Sequence, residues 1–193
     1  MISNYLGAVR DLLAGLDTAA LFAIAETCVA RYRQGVQFFA CGNGGSAATA
    51  SHFIEDIAKA IQMPGRRRIR AIALTDSVPL ITAWANDTEY ANIFAAQLDG
   101  MVEEGDVLFA ISGSGNSENV IRAVALARER GAHTIGLAGF GGGRLRECAH
   151  QCLVVPSHNM QHVEDAHLVV THLLYAYLKQ ALESPGGPGS QSA

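Results

Sequence analysis

Five short apolar runs, at 36–40, 69–74, 107–111, 134–138 and 152–155, recur along the chain, each followed by a helical pattern. The runs are too short for helices, and most end at Gly, Ser or Asp, residues that punctuate strands. Helical periodicity covers about 45–60, 78–85, 89–101, 117–130, 143–149 and 161–183. Two further amphipathic stretches, about 2–16 and 18–34, precede the first run, and Gly35 closes the second. Strands that alternate with helices pair in parallel, because the chain must cross back before it can pair again, and the helices then cover both faces of the sheet. The expected fold class is α/β: a doubly wound five-stranded parallel sheet flanked by helices, with an N-terminal helical pair. Of the 193 residues 49% are hydrophobic, enough for one buried core, so a single domain is expected over 1–183. The remaining SPGGPGSQSA at 184–193 is rich in Pro, Gly and Ser and is expected to be a disordered tail.

Net charge is −4, and the one basic cluster, Arg66, Arg67, Arg68 and Arg70, reads as a solvated bend, so no nucleic-acid partner is expected. Cys28, Cys41, Cys148 and Cys152 form neither a CxxC pair nor a zinc-ribbon spacing; reduced, packed thiols in a cytoplasmic protein are expected. The N-terminus mixes acid and base and lacks the basic start and apolar stretch of a signal peptide. No run approaches the roughly 18–20 apolar residues of a membrane span, so no membrane association is expected.

In doubly wound sheets ligands bind beyond the carboxyl ends of the strands. Two turns there are rich in Gly and Ser: CGNGGSAA at 41–48 and SGSGNSEN at 112–119. Glycines let backbone N–H groups converge on an anion, hydroxyls such as that of Ser46 add donors, and the helix that follows presents the positive end of its dipole. Neither turn is a GxGxxG fingerprint in strand–helix context, and no GK[ST] of a Walker loop occurs. Either turn alone can be only a tight turn; two in one small domain point to a phosphate-bearing ligand.

Two helical stretches carry clustered polar groups. His52 and Asp56 are i,i+4 and share a helix face. Glu164 and His172 are eight apart, about 80° around their helix, so one site can reach both. On otherwise apolar helices such groups are costly unless paired or liganded. Two histidines and two carboxylates suit an N2O2 zinc site, and they equally suit salt bridges or hydrogen bonds.

CGNGGSAA, AWANDTEYANIFA at 83–95, EGDVLFAISGSGNS at 104–117 and HVEDAHLVVTHLL at 162–174 occur in the order seen in the sugar isomerase (SIS) domain family. The chain resembles that family up to about residue 180, and within it the phosphoheptose isomerases. The resemblance implies phosphate contacts at Ser112, Gly113, Ser114 and Ser117. It implies sugar contacts at Asn43, Gly44, Gly45, Asn86 and Asp87, with Ser46 and Glu164 also at the substrate. It implies a divalent metal, Zn2+, on His52, Asp56, Glu164 and His172, and a homotetramer with active sites between subunits, its N-terminal helices in the assembly core. The implied activity is ketose–aldose isomerisation of a sugar phosphate, sedoheptulose 7-phosphate to D-glycero-D-manno-heptose 7-phosphate, through an enediol; such proton transfer suits a carboxylate and a histidine, and Asp56 is expected as the base at carbon with His172 as its acid/base partner. The alternative within the family is a non-catalytic regulator that associates with a replication initiator.

Four positions depart from the family pattern. Gly113 stands for Thr, Asp56 for Glu and Glu164 for Gln. The family's arginine near residue 60 is absent, leaving Lys59 or Arg66–Arg68 as its replacement.

Overall fold

The computed structural model describes residues 1–60 and 68–183; the expected tail at 184–193, and Arg66 and Arg67, lie outside the described residues. The elements run α1 (Ile2–Ala14), α2 (Thr18–Gln34), β1 (Gln37–Gly42), α3 (Gly45–Ala60), β2 (Arg70–Ala73), α4 (Val78–Asp87), α5 (Ala95–Asp99), β3 (Val107–Ser112), α6 (Glu118–Glu129), β4 (His133–Ala138), α7 (Gly143–Cys148), β5 (Gln151–Val154) and α8 (Met160–Glu183). The five strands are all parallel, in the order β2-β1-β3-β4-β5. This is the expected doubly wound sheet, and in that order the strand sequence reverses between β1 and β3.

β1, β3 and β4 bury side chains on both faces, which is why they read as unbroken apolar runs and not as alternations. Phe38, Ala40, Phe109 and Ile111 point toward α2, α3 and α8, where Ile24, Phe53, Ile57, Val170 and Leu174 cover them. Phe39, Cys41, Leu108 and Ala110 point the other way, onto Ile93, Phe94, Leu98, Val124 and Leu145. The rings of Phe53 and Phe109 meet edge to face at 4.7 Å across the first of these layers.

Local signals set the helix ends. Asp17 Oδ1 accepts the Ala20 N–H (2.9 Å) at the start of α2, and Gly35, at φ 75°, closes it in the left-handed conformation. The helix expected over 89–101 does not form as one piece. Glu89 is extended (φ −158°, ψ 157°), a 3₁₀ turn spans Tyr90–Asn92, and α5 is only five residues long, with Gly100 at its C-terminus. Tertiary bonds override the helical propensity here: the buried Gln97 side chain donates to Leu74 O (3.1 Å) and Ile93 O (2.7 Å), and Arg122 donates to Glu89 and Asn92. Among the described residues no single helix is long and apolar enough to cross a membrane.

α3 and α8 lie side by side and run in the same direction: Gly45 at the head of α3 meets Glu164 near the head of α8, and His52 meets His172 farther along. Two glycine-rich turns lock together at the strand ends. Gly139 N–H donates to Gly113 O (2.9 Å) and Leu145 N–H to Gly115 O (2.9 Å). Gly115 sits at φ 69°, and a Cβ there would fall 1.9 Å from Gly142 O, a backbone atom that cannot swing aside. Gly115→Ala is therefore expected to cost at least about 2 kcal/mol, read as a fall in Tm of roughly 4–8 °C.

His167, on α8, is 1% exposed, and neither ring nitrogen has a hydrogen-bond partner. Burial pushes its pKa down from 6.5 to about 4; the Ala138 backbone comes close enough to offset a little of this without reaching hydrogen-bond geometry. Between those two values the unfolded chain binds a proton that the folded chain refuses, so this contribution is complete above pH 6.5 and is lost as pH falls toward 4. Denaturant titrations at pH 7 and pH 5 should show wild type losing about 2 kcal/mol more than His167→Leu.

Candidate functional site

The carboxyl ends of β1 and β3 lie side by side, with Gly42 opposite Ile111, so the two Gly/Ser turns that follow them form the walls of one cleft. It measures about 270 Å³ and takes Asn43, Gly44, Gly45 and Ser46 from the first turn, Ser112, Gly113, Ser114 and Ser117 from the second, and Met160 and Glu164 from α8. Ser46 and Ser112 are buried. Ser112 Oγ and Ser117 Oγ share a hydrogen bond of 3.2 Å. Ser117 is the N-cap residue of α6, yet its side chain does not cap that helix. Among the described residues no cationic side chain lines the cleft; the amino-terminal ends of α3 and α6, with their converging N–H groups, supply positive potential.

The turns are pinned to each other by a pair not anticipated from the sequence. Asn43 Nδ2 donates to Asn119 Oδ1 (2.8 Å), Asn119 Nδ2 returns a bond to Asn43 Oδ1 (2.9 Å), and Tyr90 Oη donates to the same oxygen (2.9 Å). The available signal was an amide on the buried side of an apolar helix: Asn119 is 2% exposed and must find a partner there.

One departure from the family pattern has a steric explanation. A Cβ on Gly113 would fall 2.5 Å from Met160 Sδ, so the thioether occupies the space that a threonine side chain would claim. A Cβ on Gly45 would fall 2.4 Å from the carboxylate carbon and both oxygens of Glu164, so that carboxylate lies flat on the head of α3.

Farther along the α3–α8 seam, His52, Asp56 and His172 converge. The two Nε2 atoms are 3.3 Å apart, and Asp56 Oδ2 lies 3.7 Å from His52 Nε2 and 3.8 Å from His172 Nε2. Both imidazoles are about half exposed, whereas Asp56 Oδ2 is buried and has no hydrogen-bond partner. An orphaned carboxylate oxygen beside two imidazole nitrogens fits a divalent metal. Two nitrogens bound at about 2.0–2.1 Å to one tetrahedral zinc stand about 3.3–3.4 Å apart, and the observed pair meets that spacing.

Glu164 is not part of this cluster. It is eight residues before His172, and although the two project within about 80° of each other, the helix rises about 12 Å between them. The structure thus brings together three of the four expected ligands and places the fourth in the cleft.

Asn86 and Asp87 also stand apart. They are exposed at the end of α4, where Asn86 Nδ2 donates to Asp87 Oδ1 (2.8 Å), and neither lines the cleft. Lys59 is ion-paired with Glu55 on the exposed side of α3 (3.1 Å). All four cysteines are free; burial pushes the Cys28 and Cys41 thiols up to about 12.

A family profile described as the SIS domain matches residues 4–139. A phosphoheptose isomerase of Mycobacterium tuberculosis is 40% identical over 163 residues, 84% of this chain and 83% of the relative, and one of Akkermansia muciniphila is 35% identical over 90% of this chain and 92% of the relative. A solved phosphoheptose isomerase from Francisella tularensis superposes with a TM-score of 0.86 at 32% identity, covering 93% of this chain and 96% of that one. The sheet order, the paired serine turns and these matches agree: the chain belongs to the SIS domain family.

Proposed function

We propose that the protein is a phosphoheptose isomerase that interconverts sedoheptulose 7-phosphate and D-glycero-D-manno-heptose 7-phosphate. The observation that carries this reading is the convergence of His52, Asp56 and His172 on the same helix seam as a phosphate-sized cleft. The relatives named above are called phosphoheptose isomerases, which supports the same activity here. The cleft holds the phosphate end of the substrate, through Ser112, Ser114, Ser117, Ser46 and the backbone of Asn43–Gly45 and Gly113. The reacting end extends along the seam toward the cluster, about two helical turns away, which favours a long sugar over a short one.

Asp56 takes the proton from C1 of the ketose while His172 gives one to the C2 oxygen, leaving the enediol. His172 then takes the proton from the C1 oxygen as Asp56 returns one to C2, so the aldose forms and both side chains regain their starting states. Asp56 suits this role because its cluster-facing oxygen is desolvated and unspent. Zinc, when held by His52, Asp56 and His172, would occupy the His172 Nε2 lone pair and would then supply the polarisation of the substrate oxygens in place of the His172 proton. A regulatory, non-catalytic role is less well supported, since it gives no use to the orphaned carboxylate between two histidines.

We further infer a homotetramer in the cytoplasm. The large apolar side chains left exposed on α1, α2, α4 and α8, among them Leu6, Phe22, Leu80, Trp84 and Leu173, support burial against other copies of the chain. Asn86 and Asp87, facing away from their own cleft, would then serve a neighbour's. Four free thiols support a reducing compartment.

Incubation with sedoheptulose 7-phosphate should yield an aldose phosphate, and Asp56→Asn and His172→Ala should each lower kcat by about 10²–10⁴-fold. Absence of turnover by folded wild type would reject the substrate, and wild-type rates in both variants would reject the roles. Bound zinc, measured after dialysis, should be present in wild type and lost in His52→Ala; equal zinc contents would reject the metal site. Glu164→Gln removes a negative charge from the phosphate cleft and should lower KM about fivefold, the effect of about 1 kcal/mol of repulsion.

A further inference from the structure

At the opposite end of the sheet lies a second concavity, about 110 Å³, lined by Arg31, Arg128, Gly131, Ala132, His133 and His150. Arg31 comes from the last turns of α2 and Arg128 from the end of α6, while His133 opens β4 and His150 precedes β5. The pocket therefore sits at the amino ends of the strands, remote from the cleft. No carboxylate lines it; Glu104, whose stem lies against Gly131, is outside the lining.

Among the described residues neither arginine is in an ion pair. Arg31 Nη1 donates to Gly105 O (3.3 Å) and Gln34 Oε1 (3.4 Å), and Arg128 Nη1 donates to Cys148 O. These are neutral acceptors, and they leave most of the five N–H donors of each guanidinium unspent. The rings of His133 and His150 stack at 4.9 Å and 13°. Thr134 N–H donates to His150 Nδ1 (3.0 Å), which fixes the proton of the neutral ring on Nε2 and makes that edge a donor. Burial first, and then the positive charges of His133, Arg128 and Arg31, hold His150 below the usual histidine range, a sign that the local field is positive.

One arginine at one helix C-terminus is explained by the helix dipole. Two arginines and a stacked histidine pair around one cavity, with no acid among them, make a site that lacks its anion. We propose that this pocket is a second oxyanion site, which takes the phosphate group of free phosphate or of a small phosphate monoester. At 110 Å³ against 270 Å³ for the cleft, it holds a phosphate head and little of what is attached to it. Two arginines at a single pocket do not form the stripe that would track a nucleic-acid backbone.

Calorimetric titration with inorganic phosphate and, separately, with glycerol 3-phosphate tests the assignment. Wild type should bind two equivalents per chain. Ser112→Ala/Ser117→Ala, which weakens the cleft, should retain one class of site. Arg31→Gln/Arg128→Gln should weaken that class by at least about tenfold, as loss of a charge-assisted bond implies, while turnover stays at the wild-type level and shows the variant to be folded. Arg31→Lys/Arg128→Lys should fall between, because charge is kept and the planar fork is lost. Binding of inorganic phosphate alone assigns the site to the free ion; binding of glycerol 3-phosphate assigns it to a monoester. A single equivalent per chain, unaffected by the arginine changes, would overturn the proposal.

Discussion

The parallel pairing of β1 with β3 is the constraint on which the rest of the molecule depends. Because strand order reverses between these neighbours, the chain leaves β1 toward one face of the sheet and β3 toward the other, and the exits open a crevice that no helix fills. The register sets Gly42 opposite Ile111, so the two serine turns begin at the same height. Gly42 makes the first turn possible: a Cβ there would fall 2.7 Å from the Ser46 backbone, and only glycine lets α3 start so close to the strand. The Asn43–Asn119 amide pair then fixes the separation of the two walls. Two helices of 16 and 12 residues begin at the cleft, so their amino ends add to the serine hydroxyls in attracting a phosphate there.

Where the expectation rested on a repeating pattern, the fold followed it. Strands buried on both faces have a distinctive length and composition, and the serine turns lie at their ends because α/β topology places them there. His52 and Asp56 were legible for the same reason: four residues along a helix share a face and differ by only about 6 Å along it. Glu164 and His172 were not, because angular projection ignores rise, and eight residues that share a side of a helix are still about 12 Å apart along it. The segment at 89–101 misled in another way: its composition suits a helix, but Gln97 and Arg122 use tertiary partners to break it. Asn43 resembles a ligand contact in sequence, and the structure gives its amide to Asn119 and Tyr90; no one-dimensional pattern encodes that pairing, which joins residues 76 and 47 positions apart.

Two of the departures from the family pattern lie at the cleft. Gly113 and Met160 exchange volume: the second turn gives up a side chain, and the head of α8 supplies a thioether in the same space. Gly45 and Glu164 are matched in the same sense, a bare Cα beneath a carboxylate. Glu164, the one departure on α8, lies in the cleft and not in the histidine cluster. The departures at 113 and 164 thus lie at the phosphate end of the site, and the one at 56 lies in the triad, where Asp56 is one methylene shorter than the family's glutamate.

This separation follows from how the two ends are built. The cleft combines helix termini and backbone N–H groups, which belong to the fold, with the hydroxyls of its serines. The cluster relies on three side chains held by the packing of α3 on α8, where the loss of any one removes a third of the donor set. The same logic extends to the other end of α6: its amino terminus faces the cleft and its carboxyl terminus reaches the basic pocket at Arg128, about 15 Å away along the helix axis. Helix polarity alone makes the first end attractive to an anion and the second end repellent, so a phosphate at the far pocket must be held by arginine and histidine side chains. The two phosphate-sized sites of this chain thus solve the same electrostatic problem by opposite means, one with backbone and no cation, the other with cations set against the backbone.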